Sequence, residues 1–462
     1  METMLAGVCA QHYQDKSPLI SWSMANGFSD THDDMDPHAA ISRILEATQP
    51  GMYLLKDLPA LLTNDPGLIR ALRDLYYALR NSNKFIFMSH PTVVLPDLLS
   101  KEVYLVEMPL PVEKEIHDYL KNNNDIKNRR DEFDDEFLQV LTVAMTGLTF
   151  NEIDHTLKRI LSHSDTNSDQ AIMEAQQEKA QILNKESCLQ FIPQQFSLDD
   201  IGGLENLKQW VMKRKTLFTE EAFATGIPLP SGVLFMGVSG CGKSMAAKTI
   251  AAAWNVPLVR LDMSLVLSGS FGAPEAAFAH ATHLAEQIAP IVLWIDELEN
   301  SFGYDEQSSS HGNINIFSSF LTWMQDKSAR VFLAATANRI QQIPAELMRK
   351  GRFDQLFFLD LPTKNERMQI FKIHILRQGG DPDNFELGYL AAASKAWSGA
   401  EIEQAVKSAR IDAYQEKREF VEKDIIHNIS GMIPLSQTMQ EQIKFIKDWS
   451  SDRAVPASAA ED

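Results

Sequence analysis

The sequence has few cysteines and no long hydrophobic run. Only three of its 462 residues are cysteine, too few for a disulfide framework, which favours a reducing compartment. No apolar run approaches the roughly 20 residues that cross a bilayer, and residues 1–16 lack the basic and apolar regions of a signal peptide. We therefore expect a cytoplasmic protein without a membrane span.

Positive charge is also scarce. Lysine and arginine number 43 against 62 acidic residues, which gives a net charge of −19. Because phosphate contacts dominate binding to DNA and RNA, no nucleic-acid partner is expected.

The twelve histidines show no convincing metal spacing. The acidic run 30–36 lacks the glycine and the final glutamate of a calcium loop, so it is interpreted as solvated.

The chain is long enough for about three domains, and its pattern alternates between α/β and helical segments. Short apolar strands alternate with helical periods in two blocks, which predicts parallel sheets. The predicted boundaries are a flexible leader over 1–40, an α/β domain over 41–163, a linker helix over 164–195, a second α/β domain over 196–363, a helical lid over 364–430, and a C-terminal helix and tail over 431–462, frayed from 454.

The most informative segment is 237–244, Gly-Val-Ser-Gly-Cys-Gly-Lys-Ser, which fits the phosphate-loop pattern G-x-x-x-x-G-K-[ST]. Glycines let the backbone wrap around phosphates, so that amide N–H groups and a helix N-terminus point at the anion. A strand over 232–236 and a helix over 245–254 are predicted on either side. The predicted phosphate-binding residues are Ser239, Gly240, Cys241, Gly242, Lys243 and Ser244, and the Ser244 hydroxyl is also a magnesium ligand.

Two further strands end in polar residues suited to phosphoryl transfer. The apolar run 291–295 predicts a buried strand, followed by Asp296 to orient Mg²⁺ and Glu297 to polarise the attacking water. The strand 331–337 ends at Asn338, whose amide can hold that water. Arg349 and Arg352 follow, and their permanent charge suits the charge that develops on the phosphoryl group.

The N-terminal α/β block resembles a weak internal repeat. Segments 85–90, 95–101 and 103–111 recur in order as 331–336, 343–350 and 356–363, and 146–153 resembles 397–402. The hypothesis is that the first block is a decayed copy of the second. It has no phosphate loop, acid pair or arginine pair, so we expect no ATP binding there. The alternative is that two α/β domains merely share a rhythm of strands, prolines and helices.

Together, segment 196–204, the phosphate loop, the acid pair, Asn338, the arginine pair and segment 397–402 resemble the AAA branch of the AAA+ ATPases over about 196–430. The resemblance implies a P-loop AAA+ core with a parallel sheet, flanking helices and a helical lid. It also implies ATP and Mg²⁺ and assembly into a ring, usually hexameric. By position, Ile201, Gly202, Gly399 and Ala400 would line the adenine pocket, and Arg349 and Arg352 would reach the next subunit's site.

More narrowly, the chain from about residue 50 is similar to the ycf-type AAA proteins of chloroplast genomes and cyanobacteria. The matching segments are 68–74, 200–210, 400–406 and 433–439. Those proteins also carry a degenerate AAA-like α/β domain without a P-loop. If the chain is plastid-encoded, the resemblance implies the plastid stroma instead of the cytoplasm.

Two departures from the family pattern bear on function. The aligned pore-loop trio is Ser270-Phe271-Gly272, with the aromatic residue one place late, which counts against substrate threading because a one-residue slip reverses side-chain direction in an extended loop. Cys241 occupies a position where threonine is frequent. It is interpreted as a small space-filler, with redox gating through a lowered thiol pKa as the alternative.

The favoured function is Mg²⁺-dependent ATP hydrolysis coupled to remodelling or regulation of a protein partner that the sequence does not identify. The alternative is an ATP-gated binding scaffold with little intrinsic turnover. The late position of Phe271 favours the scaffold. Glu297, Asn338 and the arginine pair favour turnover.

Overall fold

The computed structural model describes residues 2–13, 19–62, 65–90, 95–106, 108–127, 133–162, 168–186, 188–193, 197–218, 222, 225–302, 311–327, 330–349 and 351–459. The chain divides into two units, residues 1–109 and 110–462. Within the described ranges, no helix is long and apolar enough to cross a membrane.

The first unit is a small four-stranded sheet with helices. Three parallel strands and one short antiparallel strand have the order β2-β1-β3-β4. Asp65 caps the long helix through the Leu68 N–H at 2.9 Å, and the buried Leu68, Leu72 and Leu75 recur at helical spacing. The strands are β1 Leu19–Ser23, β2 Gly27–Phe28, β3 Gly51–Lys56 and β4 Lys84–Ser89, and the helices are α1 Glu2–Tyr13, α2 Pro37–Glu46, α3 Leu58–Leu62 and α4 Pro66–Leu79.

The structure corrects the flexible leader predicted for residues 1–40. Strand β1 pairs with β3 along four residues, so it belongs to the sheet. Trp22 and Phe28 are 1% and 0% exposed and join the core of this unit. Burial of these two aromatic side chains stabilises the fold by on the order of 2–3 kcal/mol each. Because the surrounding sequence is polar and acidic, it does not predict that burial.

The second unit begins with a helical bundle, so the α/β domain predicted for 41–163 does not extend to its predicted end. Its helices are α5 Glu113–Asn122, α6 Asn124–Lys127, α7 Asp135–Met145, α8 Phe150–Ser162 and α9 Ser168–Glu186. The Glu152 side chain accepts from the Thr149 N–H at 2.7 Å at the start of α8. Glu401 accepts from the Ser398 N–H in the same way in the lid, which agrees with the proposed internal repeat.

The core of the second unit is a seven-stranded sheet of order β11-β10-β6-β9-β8-β7-β5. Every strand pairing is parallel except that of β5 with β7. Near-continuous apolar sequence makes β6, β8 and β9 fully buried. The strands are β5 Leu189–Ile192, β6 Gly232–Gly237, β7 Leu258–Leu261, β8 Ile291–Ile295, β9 Val331–Ala337, β10 Gln355–Leu359 and β11 Val455–Pro456. The linker helix predicted for 164–195 ends earlier, because α9 ends at Glu186 and strand β5 follows within the same segment.

Helices cover both faces of this sheet, as expected for a parallel α/β domain. They are α10 Glu205–Arg214, α11 Lys243–Trp254, α12 Met263–Leu267, α13 Pro274–Gln287, α14 Leu298–Phe302 and α15 His311–Asp326. The strands 232–236, 291–295 and 331–337 and the helix 245–254 form within a residue or two of their predicted bounds. Phe196, the first residue of the matched segment 196–204, lies outside the described residues.

A separate helical cluster follows the sheet and corresponds to the predicted lid. Its core is made of residues such as Phe371, Trp397 and Ile402. Its helices and those that follow it are α16 Lys364–Arg377, α17 Leu387–Ala393, α18 Gly399–Gln415, α19 Glu422–Gly431, α20 Leu435–Thr438 and α21 Gln440–Ser450.

The expectation that the chain frays from residue 454 is wrong for residues 454–459. Strand β11 pairs with β10, and Ala457 is fully buried with its N–H donating to the Phe358 carbonyl at 2.9 Å. The Ser458 hydroxyl donates to Glu366 at 2.5 Å. These contacts join residues far apart in the chain, so the small-residue composition of the tail does not predict them. Residues 460–462 lie outside the described residues.

Candidate functional site

The phosphate loop joins β6 to α11 at the carboxyl edge of the sheet. Gly237, Gly240 and Gly242 have φ angles of 144°, 78° and 91°, in the region that favours glycine. A Cβ on Gly237 would lie 2.0 Å from the Leu359 carbonyl oxygen of the neighbouring strand. Only glycine can therefore turn the chain here, and the turn places the first N–H groups of α11 around a concave loop.

Lys243 lies inside this loop and is only 6% exposed. Its Nζ donates to the carbonyls of Gly237 at 3.0 Å and Val238 at 2.7 Å. Burial lowers the pKa of Lys243, and the nearby Asp296 and Glu297 oppose that shift. The loop therefore holds a desolvated ammonium where an outer phosphate would lie.

Ser244 in the first turn of α11 meets Asp296, which follows β8, and Thr336 near the end of β9. The Ser244 hydroxyl donates to Asp296 Oδ1 at 3.3 Å, as expected for two ligands of one ion. Thr336 Oγ1 donates to the same oxygen at 2.5 Å and accepts from the Glu297 N–H at 3.0 Å. The sequence assigned no role to Thr336. A hydroxyl near the end of an apolar strand is the signal that could have identified it.

Glu297 and Asn338, predicted from separate strands, are in hydrogen-bond contact. Asn338 Nδ2 donates to Glu297 Oε1 at 3.1 Å. Asn300, which the sequence did not single out, donates to Oε2 at 2.6 Å. Glu297 has a φ of 50°, an uncommon conformation for a non-glycine residue. The exposed carboxylate therefore has a defined orientation, with an amide on each oxygen.

Glu299 supports this arrangement through hydrogen bonds to the loop that carries Asn338, and the sequence did not indicate this role either. It is 3% exposed, and its Oε1 accepts from the N–H groups of Asn338 at 2.8 Å and Arg339 at 3.2 Å. A buried carboxylate that accepts two backbone N–H bonds fixes the loop that carries Asn338. Glu299 lies two residues after Glu297, where an acidic residue at the start of an exposed helix is common, so its role has no signal in the sequence.

The predicted adenine-pocket residues come together where the lid contacts the phosphate loop. The Ala400 N–H donates to the Gly240 carbonyl at 3.0 Å. A Cβ on Gly202 would lie 2.8 Å from Ile370, and one on Gly399 would lie 3.8 Å from the same side chain. Ile201 is buried in the core beside α11. The four residues therefore surround one place between the phosphate loop and the lid.

Arg349 and Arg352 lie elsewhere on the chain, after β9. Arg349 is exposed, and Arg352 donates from its guanidinium to the Leu321 carbonyl on α15. In the described part of the chain, none of their hydrogen bonds reaches the phosphate loop or the acid pair. The structure thus brings all the predicted site residues together except these two arginines.

The two departures from the family pattern have clear structural settings. Burial raises the pKa of Cys241 to about 12, opposite to the lowered value that redox gating requires, so the space-filling interpretation fits. Phe271 packs partly against the main hydrophobic core, while Ser268 and Ser270 exchange a hydrogen bond at 2.7 Å. The aromatic ring is therefore partly withdrawn from solvent.

The site fits a magnesium nucleotide. A Cβ on Gly240 would approach Ser398 and Ala400 within 3.0 Å, so this part of the loop has no space for a larger residue. The described residues contain no cluster of three or more His, Cys, Asp or Glu side chains that could hold a metal alone. Mg²⁺ in nucleotide sites takes one or two protein oxygens and completes its shell with phosphate and water, which Ser244 and Asp296 match.

Comparison with known proteins agrees with this site. The family described as ATPase family associated with various cellular activities (AAA) matches residues 233–361, which contain the phosphate loop and the acid pair. The family described as SpoVK-like AAA ATPase, N-terminal domain, matches residues 1–108. The second match covers the first compact unit almost completely.

Whole-chain relatives extend the similarity. The chain is 34% identical over 443 residues to the AAA domain-containing protein ycf46 of Pyropia yezoensis, which covers 94% of this chain and 89% of the relative. It is 34% identical over 442 residues to the protein of the same name from Guillardia theta, with 94% and 87% covered. A proteasome-activating nucleotidase of Thermococcus onnurineus is 29% identical over 260 residues, with 54% of this chain and 64% of that protein covered.

Proposed function

Because the chain belongs to the AAA ATPase family, we propose that it is a Mg²⁺-dependent ATPase whose active site lies between the phosphate loop and the ends of β8 and β9. The contact of Glu297 with Asn338 beside the pair of Ser244 and Asp296 carries this proposal. In this proposal Glu297 is the base, Asn338 holds the attacking water, and Ser244 and Asp296 are the magnesium ligands, all at one edge of the sheet. The adenine would lie at Ile201, Gly202, Gly399 and Ala400.

Each protein group has a defined task in this mechanism. Lys243 and the amides of 239–244 bind the phosphates. Ser244 and Asp296 would hold Mg²⁺, which would supply positive charge at the phosphates. Glu297 accepts the proton of the attacking water, and Asn338 keeps that water in line with the γ-phosphate. Thr336 and Glu299 act through their hydrogen bonds to Asp296 and Glu297 and to the Asn338 loop.

We infer that the site is completed by a second copy of the chain. Arg349 is exposed, and Arg352 is bound to α15 rather than to the phosphate loop. Arginines that make no hydrogen bond to the phosphate loop among the described residues suit a neighbouring site in a ring, where such a residue accelerates hydrolysis by about 10³–10⁵ in related phosphoryl transfer. A hexameric ring is the proposed assembly.

Phosphate release measured with Mg·ATP over a hundredfold range of protein concentration tests both statements. We expect the activity per subunit to rise and then saturate as rings form. Glu297→Gln should still bind ATP yet turn over at least about a hundredfold more slowly, whereas Glu441→Gln on the exposed face of α21 should behave as wild type. Near-normal turnover by Glu297→Gln would remove that residue from its role.

A mixing experiment tests the shared site. Arg352→Ala should bind nucleotide but barely hydrolyse it, and Lys243→Ala should lose nucleotide binding. Mixed assemblies should regain activity, because the Lys243→Ala subunits supply intact arginines to their neighbours. If no mixing ratio restores turnover, the arginines do not act between subunits.

An ATP-gated scaffold is the second candidate, and the partial burial of Phe271 favours it over a threading motor. In that function the nucleotide state sets the affinity for a protein partner of the cytoplasm, or of the stroma if the chain is plastid-encoded. Turnover that stays negligible at every protein concentration, with normal ATP binding, would select the scaffold.

A further inference from the structure

A cavity of about 330 Å³ lies within the second unit, away from the phosphate loop. The helices α5, α7 and α9 form one wall. Pro257, Pro290 and Arg330, which directly precede β7, β8 and β9, form part of the other. These strands are parallel to β6, whose carboxyl end carries the phosphate loop, so the cavity lies at the opposite edge of the sheet.

Lys179 on α9 lines this cavity and is its most unusual residue. It is 1% exposed, and its Nζ has no hydrogen-bond partner among the described residues. Burial lowers the pKa of Lys179 to about 8, so the ammonium remains mostly charged at neutral pH. A buried, unpaired charge is strongly unfavourable, and a leucine or methionine would serve packing alone at lower free-energy cost.

Three aromatic side chains and a second cation also line the cavity. Phe191, Phe218 and Trp254 all contribute, with the rings of Phe218 and Trp254 stacked at 4.5 Å between centroids. Lys179 Nζ lies 5.9 Å from the centre of the Phe191 ring. Arg330 adds positive charge, and the half-buried Glu113 is the acid that faces Lys179.

We propose that this cavity is a binding site for a small organic anion with a flat aromatic body, its anionic group facing Lys179 and its rings lying among Phe191, Phe218 and Trp254. The volume is at the lower end of the range for small-molecule sites, about 300–1,000 Å³. An anion would pair the buried ammonium, and the aromatic walls would cover the rest of the ligand. The site does not involve the nucleotide pocket and does not depend on ATP hydrolysis.

Fluorescence titration of the full chain with anilinonaphthalene sulfonate, an aromatic anion of suitable size, tests this site. Saturating Mg·ADP is present throughout, so that the probe does not compete for the nucleotide pocket. The neutral N-phenylnaphthylamine serves as the uncharged counterpart. Lys179→Met removes the charge, Val140→Trp fills the cavity from a lining position that is 43% exposed, and Lys444→Met on an exposed face of α21 is the matched control.

We expect one saturable site for the sulfonate, with a dissociation constant at least about tenfold higher in Lys179→Met. The neutral probe should bind Lys179→Met and wild type alike. Val140→Trp should weaken both probes, and Lys444→Met neither. Unsaturable binding by the wild type, equal sulfonate affinity of Lys179→Met and Lys444→Met, or unchanged binding by Val140→Trp would each overturn the proposal. Val140→Trp keeps the test decisive if Lys179→Met fails to fold.

Discussion

Replacing Thr336 by valine tests whether the geometry of the acid pair depends on a single hydroxyl. Thr336 is 2% exposed, and its Oγ1 contacts both Asp296 Oδ1 at 2.5 Å and the Glu297 N–H at 3.0 Å. Valine keeps the shape and the apolar contacts of the strand. The change therefore removes two hydrogen bonds and leaves the packing intact.

The expected magnitude follows from the type of each bond. A hydrogen bond to a carboxylate is worth about 1.5–3 kcal/mol, and a backbone N–H left without a partner costs about 1–3 kcal/mol. Since Glu297 is exposed and water can reach part of the gap, the lower halves of these ranges apply. Thr336→Val should lower the free energy of unfolding by about 3 kcal/mol.

Activity should fall as well, because the two bonds set the positions of Asp296 and Glu297. A displacement of about 1 Å at a reacting group can reduce the rate about a hundredfold. We expect kcat to fall by at least about tenfold and the apparent affinity for Mg²⁺ to weaken, while ADP binding without Mg²⁺ is retained.

Urea unfolding and steady-state phosphate release measure the two effects. Thr336→Ser keeps the hydroxyl and should recover most of the activity. Thr282→Val is the matched control, because this buried threonine donates only to helix carbonyls at 3.0 and 3.1 Å and leaves no N–H unpaired. If Thr336→Val and Thr282→Val lose the same stability and the same activity, the reasoning is refuted.

Three further predictions concern the surroundings of the site. Asn300→Ala removes one of the two amides that orient the Glu297 carboxylate, so kcat should fall by roughly threefold in phosphate-release assays, and an unchanged kcat would show that Asn300 does not assist the reaction. Removal of 454–462 eliminates β11 and the Ser458 contact with Glu366, so the free energy of unfolding in urea should fall by about 3 kcal/mol. An unchanged unfolding curve would contradict the long-range role of the tail. Burial raises the pKa of Cys241 to about 12, so its thiol stays protonated at neutral pH. Mass spectrometry should therefore show negligible labelling by iodoacetamide at pH 7.5, whereas labelling that completes within minutes would restore the gating alternative.

Much of the site could be predicted from the sequence because its chemistry depends on residues that are close in the chain. The phosphate loop needs glycine at positive φ and a lysine at a fixed spacing, and both constraints act within eight residues. Asp296 and Asn338 could be placed because each follows a buried strand, and parallel strands end at the same edge of a sheet.

The residues that support the site could not be predicted in this way. Thr336, Glu299 and Asn300 act through hydrogen bonds whose partners are set by the register of neighbouring strands and by the helix after β8. A single sequence does not specify that register, and threonine or glutamate in such positions is usually unremarkable.

The AAA core, its phosphate loop and the order of the proposed catalytic groups can be derived from local sequence, because local backbone conformation and strand periodicity encode them. Other features follow from the folded chain: Leu19–Ser23 is a core strand, the tail adds β11 to the sheet edge, and Arg352 donates to α15, with no hydrogen bond from either arginine to the phosphate loop in the described part of the chain. Lys179, too, is buried beside a cavity with no hydrogen-bond partner for its Nζ among the described residues. Each of these outcomes depends on contacts between segments far apart in the chain, whose free energy comes from burial and pairing that no short window of sequence contains.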